Sequence, residues 1–131
     1  MVSVREKNEN PLQLVMTLGD NRYYDGPQGI FDHLIYEMMT KTYAGTTDVP
    51  WYLALGNHDC REGLETSIDL TQIYEAWNMP SAYYNITLPI DDANNASFVF
   101  LNSCALFCVH WEPGFDHKCT RWDFEVTKEV W

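Results

Sequence analysis

The chain has 131 residues, 46% of them hydrophobic and 15% aromatic, and carries a formal net charge of −11. That length suits one domain or part of one, and so much apolar content excludes a disordered tail. The acidic balance argues against a nucleic-acid partner, because a phosphate backbone needs a basic footprint. No apolar run is long enough to span a membrane.

In chain order, residues 1–11 are polar and charged, are expected to be disordered, and lack the apolar core of a signal peptide. Residues 12–18 read as a buried strand, with Leu12, Leu14, Val15, Met16 and Leu18 in one apolar run. Residues 21–29 are loop, broken by Gly26 and Pro27. The spacing of Ile30, Leu34, Ile35, Met38 and Met39 predicts a helix over 30–43 with one apolar face. A turn at 45–48 leads into a second strand at 49–55, where Pro50 is tolerated near the start. A second helix is predicted over 64–77, with Leu64, Ile68, Ile73 and Trp77 as core contacts, and residues 78–81 close it. Two more strands, 83–88 and 97–102, flank the polar turn Asp91-Asp92-Ala93-Asn94-Asn95. Beyond Cys108 the pattern weakens. Strand, helix, strand, helix, strand, strand is an α/β order with a mixed sheet.

Four cysteines, Cys60, Cys104, Cys108 and Cys119, contain no Cys-x-x-Cys pair and so do not suggest a zinc site. They allow three disulfide pairings, and the sequence does not choose among them. Asn85-Ile86-Thr87 and Asn95-Ala96-Ser97 both have the N-glycosylation acceptor pattern. With an even cysteine count, they point towards the secretory pathway.

The first two strands each end in a loop rich in oxygen donors: Gly19-Asp20-Asn21-Arg22-Tyr23 and Gly56-Asn57-His58-Asp59. In α/β folds the loops at the carboxyl ends of parallel strands carry the chemistry. A carboxylate, a phenol and an amide are metal ligands, and Asp20 has two oxygens with which to bridge two cations. A pair of metals steadies both the attacking and the leaving oxygen of a phosphoryl group. Taken singly, these residues have plainer uses: Asp20 and Asn57 in turns, Tyr23 as a packing aromatic, Asp59 as a cap.

Gly-Asp-x-x-Tyr followed by Gly-Asn-His-Asp resembles the metallophosphoesterases, and within them the purple acid phosphatases of the short, tartrate-resistant type. Val49-Pro50-Trp51-Tyr52 and Trp77, Pro80, Tyr83 and Tyr84 extend the likeness, which runs over roughly residues 14–108. The resemblance implies an α/β fold, a β-sandwich flanked by helices, of which this chain shows the first half. It implies a binuclear centre of Fe(III) with Fe(II) or Zn(II). Asp20 would bridge the metals, Tyr23 would bind the ferric ion as phenolate, and Asn57 would serve the divalent site. His58 would be the catalytic residue facing the phosphate ester, and Asp59 would accept from its other ring nitrogen. The substrate would be a phosphate monoester hydrolysed at acid pH, and the protein would be secreted or lysosomal. Tyr24 is expected to pack as a plain aromatic, and Arg22 and Asp25 to line the cleft. His33 is expected at the surface, and His110 and His117 do not reproduce the family's later histidine blocks.

The chain also departs from the family. No Asp-x-Gly precedes Asp20, and the family's histidine blocks would lie beyond Trp131. Asn102 stands where the family tends to show aspartate, and Cys60 where histidine is frequent. The expectation is therefore an incomplete domain over 1–131, a phosphatase fragment that is inactive and poorly stable without the remainder of its domain. Two other readings stay open: a non-catalytic secreted module that keeps the fold without a complete metal site, and an unrelated acidic metal-binding protein.

Overall fold

A computed structural model describes residues 11–103. The reading of residues 1–11 as disordered falls almost wholly outside this range, as do His110, His117, Cys104, Cys108 and Cys119.

Three parallel strands form the centre. β1 (Val15–Thr17) pairs with β2 (Trp51–Leu53), which pairs with β3 (Trp77–Asn78). β1 and β2 are in the register Val15 to Trp51 and Thr17 to Leu53, so their carboxyl ends lie side by side. Both are shorter than the apolar runs that predict them, and Leu18, placed in the first strand by sequence, is 96% exposed.

The first crossover holds α1 (His33–Glu37), a π-helical turn at Met38–Thr42 and a 3-10 turn at Ala44–Thr46. The helix starts at residue 33 rather than 30 because Asp32 caps it. Its carboxylate accepts from the Leu34 and Ile35 N–H groups at 2.8 and 3.4 Å. Ile35 and Met39 enter the core, whereas Leu34, assigned to the apolar face by spacing, is half exposed. The π turn widens the helix after α1 and rotates the residues that follow.

The second crossover holds α2 (Asp59–Glu62), α3 (Leu64–Asp69) and a 3-10 turn at Leu70–Gln72. The helix predicted over 64–77 therefore ends early, and Trp77 belongs to a strand. The Thr71 hydroxyl accepts from the Met79 N–H at 3.1 Å, which draws the chain back beside the helix. The Trp77 indole N–H donates to the Ser67 carbonyl at 2.8 Å. A fully buried indole with its N–H satisfied fits the centre of the sheet.

β4 (Tyr84–Pro89) and β5 (Asn95–Phe100) form an antiparallel hairpin that is a sheet of its own. The single mixed sheet expected from the element order is thus two sheets, one parallel and one antiparallel. A two-strand antiparallel unit satisfies its own ladder and does not need the parallel edge. Side chains join the two: Tyr84 Oη donates to the Leu53 carbonyl at 2.9 Å, and its ring stacks on Phe100 at 4.4 Å. The core is formed by Trp51, Leu53, Leu55, Leu70, Trp77 and Met79, with Ile35 and Met39 from the first crossover. Among the described residues no helix is long and apolar enough to cross a membrane.

Candidate functional site

The loops that leave β1 and β2 approach so closely that their glycines touch. A Cβ on Gly19 would lie 2.7 Å from the Gly56 Cα, and one on Gly56 would lie 2.2 Å from the Asp20 nitrogen. No side chain fits either gap. Gly19 has φ +101° and Asp20 has φ 51°. Aspartate tolerates the left-handed region better than most residues, yet the conformation costs energy and is held by its surroundings.

Asp59 ties the two loops together. Its carboxylate accepts from the Asn21 and Arg22 backbone N–H groups at 3.0 and 3.2 Å and from the Asn21 side-chain amide at 3.0 Å. It also accepts from the Gly56 N–H at 2.9 Å. Asp59 is fully buried. Burial pushes its carboxyl up from the ordinary value, the Gly56, Asn21 and Arg22 amides pull the other way, and the nearby Asp20 charge adds to the rise. The sequence reading gave Asp59 to the His58 ring. The structure corrects that detail, because the N–H donors of the facing loop occupy the carboxylate. The His58 Nδ1 instead meets the Tyr24 carbonyl oxygen. A carbonyl only accepts, so Nδ1 carries the proton and Nε2 is left for another partner.

Above this tie lies a polar, partly open group. Tyr23 Oη donates to Asp20 Oδ2 at 2.7 Å, and the His58 N–H donates to Asp20 Oδ1 at 3.2 Å. The Tyr23 and His58 rings are 4.3 Å apart. Burial opposes the Asp20 charge, but the Tyr23 hydroxyl and His58 N–H outweigh it, and the carboxyl is held below its ordinary value. The same bond to Asp20 raises the Tyr23 phenol. Asn57 sits exposed between Gly56 and His58, both of which contact Asp20. The β1 and β2 loops thus carry Asp20, Tyr23, Asn57, His58 and Asp59 to one edge of the parallel sheet.

The other candidates serve elsewhere. Arg22 Nε pairs with Asp32 at 3.0 Å, and Asp25 pairs with Arg61 at 3.3 Å, so both help to brace the loop. His33 is an exposed helix residue, 3.9 Å from Glu37. Tyr24 is 74% exposed rather than packed, and it acts through its carbonyl. Asn102 and Cys60 are buried together, with Cys60 Sγ 3.5 Å from Asn102 Oδ1. Cys60 is disulfide-bonded, its partner lying outside the described residues. Asn21 is the participant that sequence reasoning missed. Besides its two bonds to Asp59, its side-chain amide donates to the Ala54 carbonyl at 2.7 Å, fixing the loop to the end of β2. Its place between two named motif residues was the available signal.

As a metal site the group is partial. Asp20 and Tyr23 present two oxygens within 2.7 Å, and a cation would take the place of the proton they share. Among the described residues, no set of three or more His, Cys, Asp or Glu is placed to hold a metal ion.

Comparison with known proteins gives the same direction. The family profile of the calcineurin-like phosphoesterases matches residues 2–128. Tartrate-resistant acid phosphatase type 5 of Homo sapiens is 30% identical over 96 residues, which cover 72% of this chain and 30% of that protein. The mouse protein of the same name, from Mus musculus, is 29% identical over the same length, covering 29% of its own chain. The match thus spans less than a third of these relatives.

Proposed function

The chain belongs to the calcineurin-like phosphoesterase family, and from that premise we propose that its two loops serve a metal-dependent acid phosphatase acting on phosphate monoesters. The observation that carries this is the meeting of Asp20, Tyr23 and His58 at the carboxyl ends of two adjacent parallel strands. In this reading Asp20, Tyr23 and Asn57 hold the metals, an Fe(III) with Fe(II) or Zn(II). When bound, such a pair would supply Lewis acidity towards the phosphate and lower the pKa of a water.

The chain's own residues do the rest. A phenol has an ordinary pKa of about 10, so holding Tyr23 as phenolate at acid pH calls for a strongly Lewis-acidic ion such as ferric iron. Asp59 keeps the two loops at a fixed distance, so the donors need no rearrangement on binding. The Tyr24 carbonyl orients the His58 ring by its Nδ1 proton. That leaves Nε2 to meet a phosphate oxygen or to deliver a proton to the leaving alkoxide. The disulfide at Cys60 and the two acceptor triplets support a secreted or lysosomal setting. A polynucleotide is disfavoured as partner by the acidic charge.

The test uses the natural gene product that carries this sequence, supplied with iron and an aryl phosphate across about pH 4 to 7. Turnover is expected, with a visible absorption band that disappears in Tyr23→Phe. Asp20→Asn abolishes both. No turnover and no band would overturn the catalytic reading. It would favour the non-catalytic module instead.

A further inference from the structure

A second seam joins the same two loops, starting one residue beyond Tyr23. The segment 24–27 lies in step with 58–63. The Tyr24 carbonyl meets the His58 ring, Asp25 pairs with Arg61, and Gly26 and Pro27 lie against Asp59 and Gly63. The glycine end is backbone on backbone. A Cβ on Gly26 would lie 2.9 Å from the Asp59 and Gly63 Cα atoms, and one on Gly63 would lie 2.5 Å from the Pro27 Cδ. Gly26, Pro27, Asp59 and Gly63 are all buried, so this end does not slide without a clash. The Tyr24 end has no such packing, for Tyr24 is exposed and reaches the His58 ring through its carbonyl. Arg61 stands between the two ends. His58 has helical backbone angles and caps α2, and the Arg61 N–H donates to its carbonyl at 3.3 Å. Residues three apart on a helix share a face. The Arg61 guanidinium then crosses to Asp25 Oδ1 at 3.3 Å, both side chains being 38% exposed.

We propose that Arg61 and Asp25 are positioning residues for His58: their ion pair holds the Tyr24 carbonyl against Nδ1 and so fixes which ring nitrogen is left for the substrate. The role rests on the phosphatase reading only for the identity of what meets Nε2. The distance between the loops is already set by the Asp59 carboxylate and by the glycine end of the seam. Neither of these sets where the exposed Tyr24 carbonyl stands over the ring. Asp25 adjoins Tyr24 in sequence, and Arg61 shares a helix turn with His58, so their pair links acceptor to ring directly. A half-exposed ion pair contributes little to the fold. The tautomer of an imidazole, however, follows the bond made at its other nitrogen. A hydrogen bond weakens steeply with angle, so a small drift of the carbonyl is enough to free Nδ1. The guanidinium suits the task, since its planar fork restrains direction as well as distance.

The test reads the ring rather than turnover. The natural gene product that carries this sequence is labelled with nitrogen-15 in histidine and kept in zinc rather than iron, so that no unpaired electrons broaden its signals. His58 is identified by the signals that His58→Gln removes. At a pH where the ring is neutral, the unaltered protein should show His58 with its proton on Nδ1. Arg61→Gln and Asp25→Asn, one on each loop, should each convert this to a mixture of the two tautomers. The double variant should do no more than either alone, because both remove the same link. Arg61→Lys, which keeps the charge, should retain more of the Nδ1 form than Arg61→Gln. Lys41→Gln, which breaks the pair with Glu37 on the first crossover, should leave the ring unchanged. The positioning role is overturned if both single variants keep the Nδ1 form, if Lys41→Gln disturbs it as much, or if Arg61→Lys does no better than Arg61→Gln. A double variant equal to the sum of the two singles would overturn it as well. A tautomer shift in a protein that hydrolyses no aryl phosphate upholds the role of the pair and removes only phosphate as the partner of Nε2.

Discussion

The paired loops at the sheet edge and the β4–β5 hairpin are held by opposite means. The loops are tied by backbone N–H groups that donate across 38 and 37 positions of the chain to one buried carboxylate. The hairpin is held by neighbours. Its turn is closed by Asp91, whose carboxylate accepts from the Ala93 and Asn94 N–H groups at 2.8 and 2.9 Å. A site built by long-range polar ties is rigid where it forms, but it depends on a few residues. A locally built hairpin spreads its stability along the ladder and tolerates change at any one exposed position.

Removing the tie should have the largest effect. Asp59→Ala leaves the partly buried N–H donors of Asn21, Arg22 and Gly56 without their acceptor. A fully buried orphaned donor costs about 1–3 kcal/mol and a partly buried one less, so three of them together give an expected loss of about 3 kcal/mol in urea unfolding. Thr87→Ala, on the exposed hairpin face, should cost less than about 0.5 kcal/mol. Similar losses in the two variants would erase the contrast between the regions.

Gly56→Ala attacks the same region by volume. Its new Cβ would need the space of the Asp20 backbone, which cannot move as a flexible side chain would. Overpacking of this kind costs about 1–3 kcal/mol. Unlike the Asp59 variant it should also part Asp20 from the His58 N–H. Loss of the slowed exchange expected for that amide would report the separation. An unchanged amide would mean that the loops have slack.

These two residues also show what the sequence makes legible. The apolar runs ending in Gly-Asp and Gly-Asn are visible because a buried parallel strand needs apolar residues on both faces. The parallel pairing of β1 with β2, and the meeting of their loops, follows from that. Asp59 was legible as a site residue but not as the tie between loops, since its donors lie far off in sequence and are mostly backbone. Trp77 was misplaced in a helix because its spacing from Leu64 and Ile68 suits a helical face. Its parallel pairing with Trp51 of β2, a tertiary contact, makes it a strand residue. The hairpin was legible almost in full, turn and strands together, because nearly everything that makes it is local.

Asp32 sharpens the comparison from the loop side, through pH. Burial opposes its charge, but the Gln28 and Leu34 N–H groups and the Arg22 guanidinium prevail, and its carboxyl is held below the ordinary 3.8. A depressed carboxylate contributes stability that is present above its unfolded pKa and lost as pH falls through the folded one. Asp32→Asn keeps an oxygen for the helix cap but gives up the ion pair with Arg22. A loss of about 1 kcal/mol is expected at neutral pH. The gap to the unaltered protein should close as the pH drops below about 3.8. A gap that stays constant with pH would assign the loss to the cap rather than to the charge.

An effect of similar, modest size should come from Tyr84, at a point where hairpin and sheet meet. Tyr84 donates its hydroxyl to the Leu53 carbonyl, with the Asn78 carbonyl 3.1 Å away, and lays its ring flat on Phe100. Tyr84→Phe keeps the ring stack and removes only the hydroxyl, for about 0.5–1.5 kcal/mol. The loss should appear as faster amide exchange in β4 and β5, with the β1 and β2 loops unchanged, since none of their ties pass through Tyr84. Alkali gives a second reading of the same hydroxyl, through its burial and against the opposing pull of the Leu53 carbonyl contact. Burial pushes the phenol up to about 12 from an ordinary 10.0, with the Tyr52 phenol adding in the same direction. A raised pKa means that the folded state holds the proton more tightly. The stability it brings is whole below pH 10.0 and is lost as the pH climbs through about 12. The unaltered protein should therefore weaken over that interval by more than Tyr84→Phe does, although it starts out the more stable. If the two curves run parallel, the Tyr84 hydroxyl is not buried where hairpin and sheet meet.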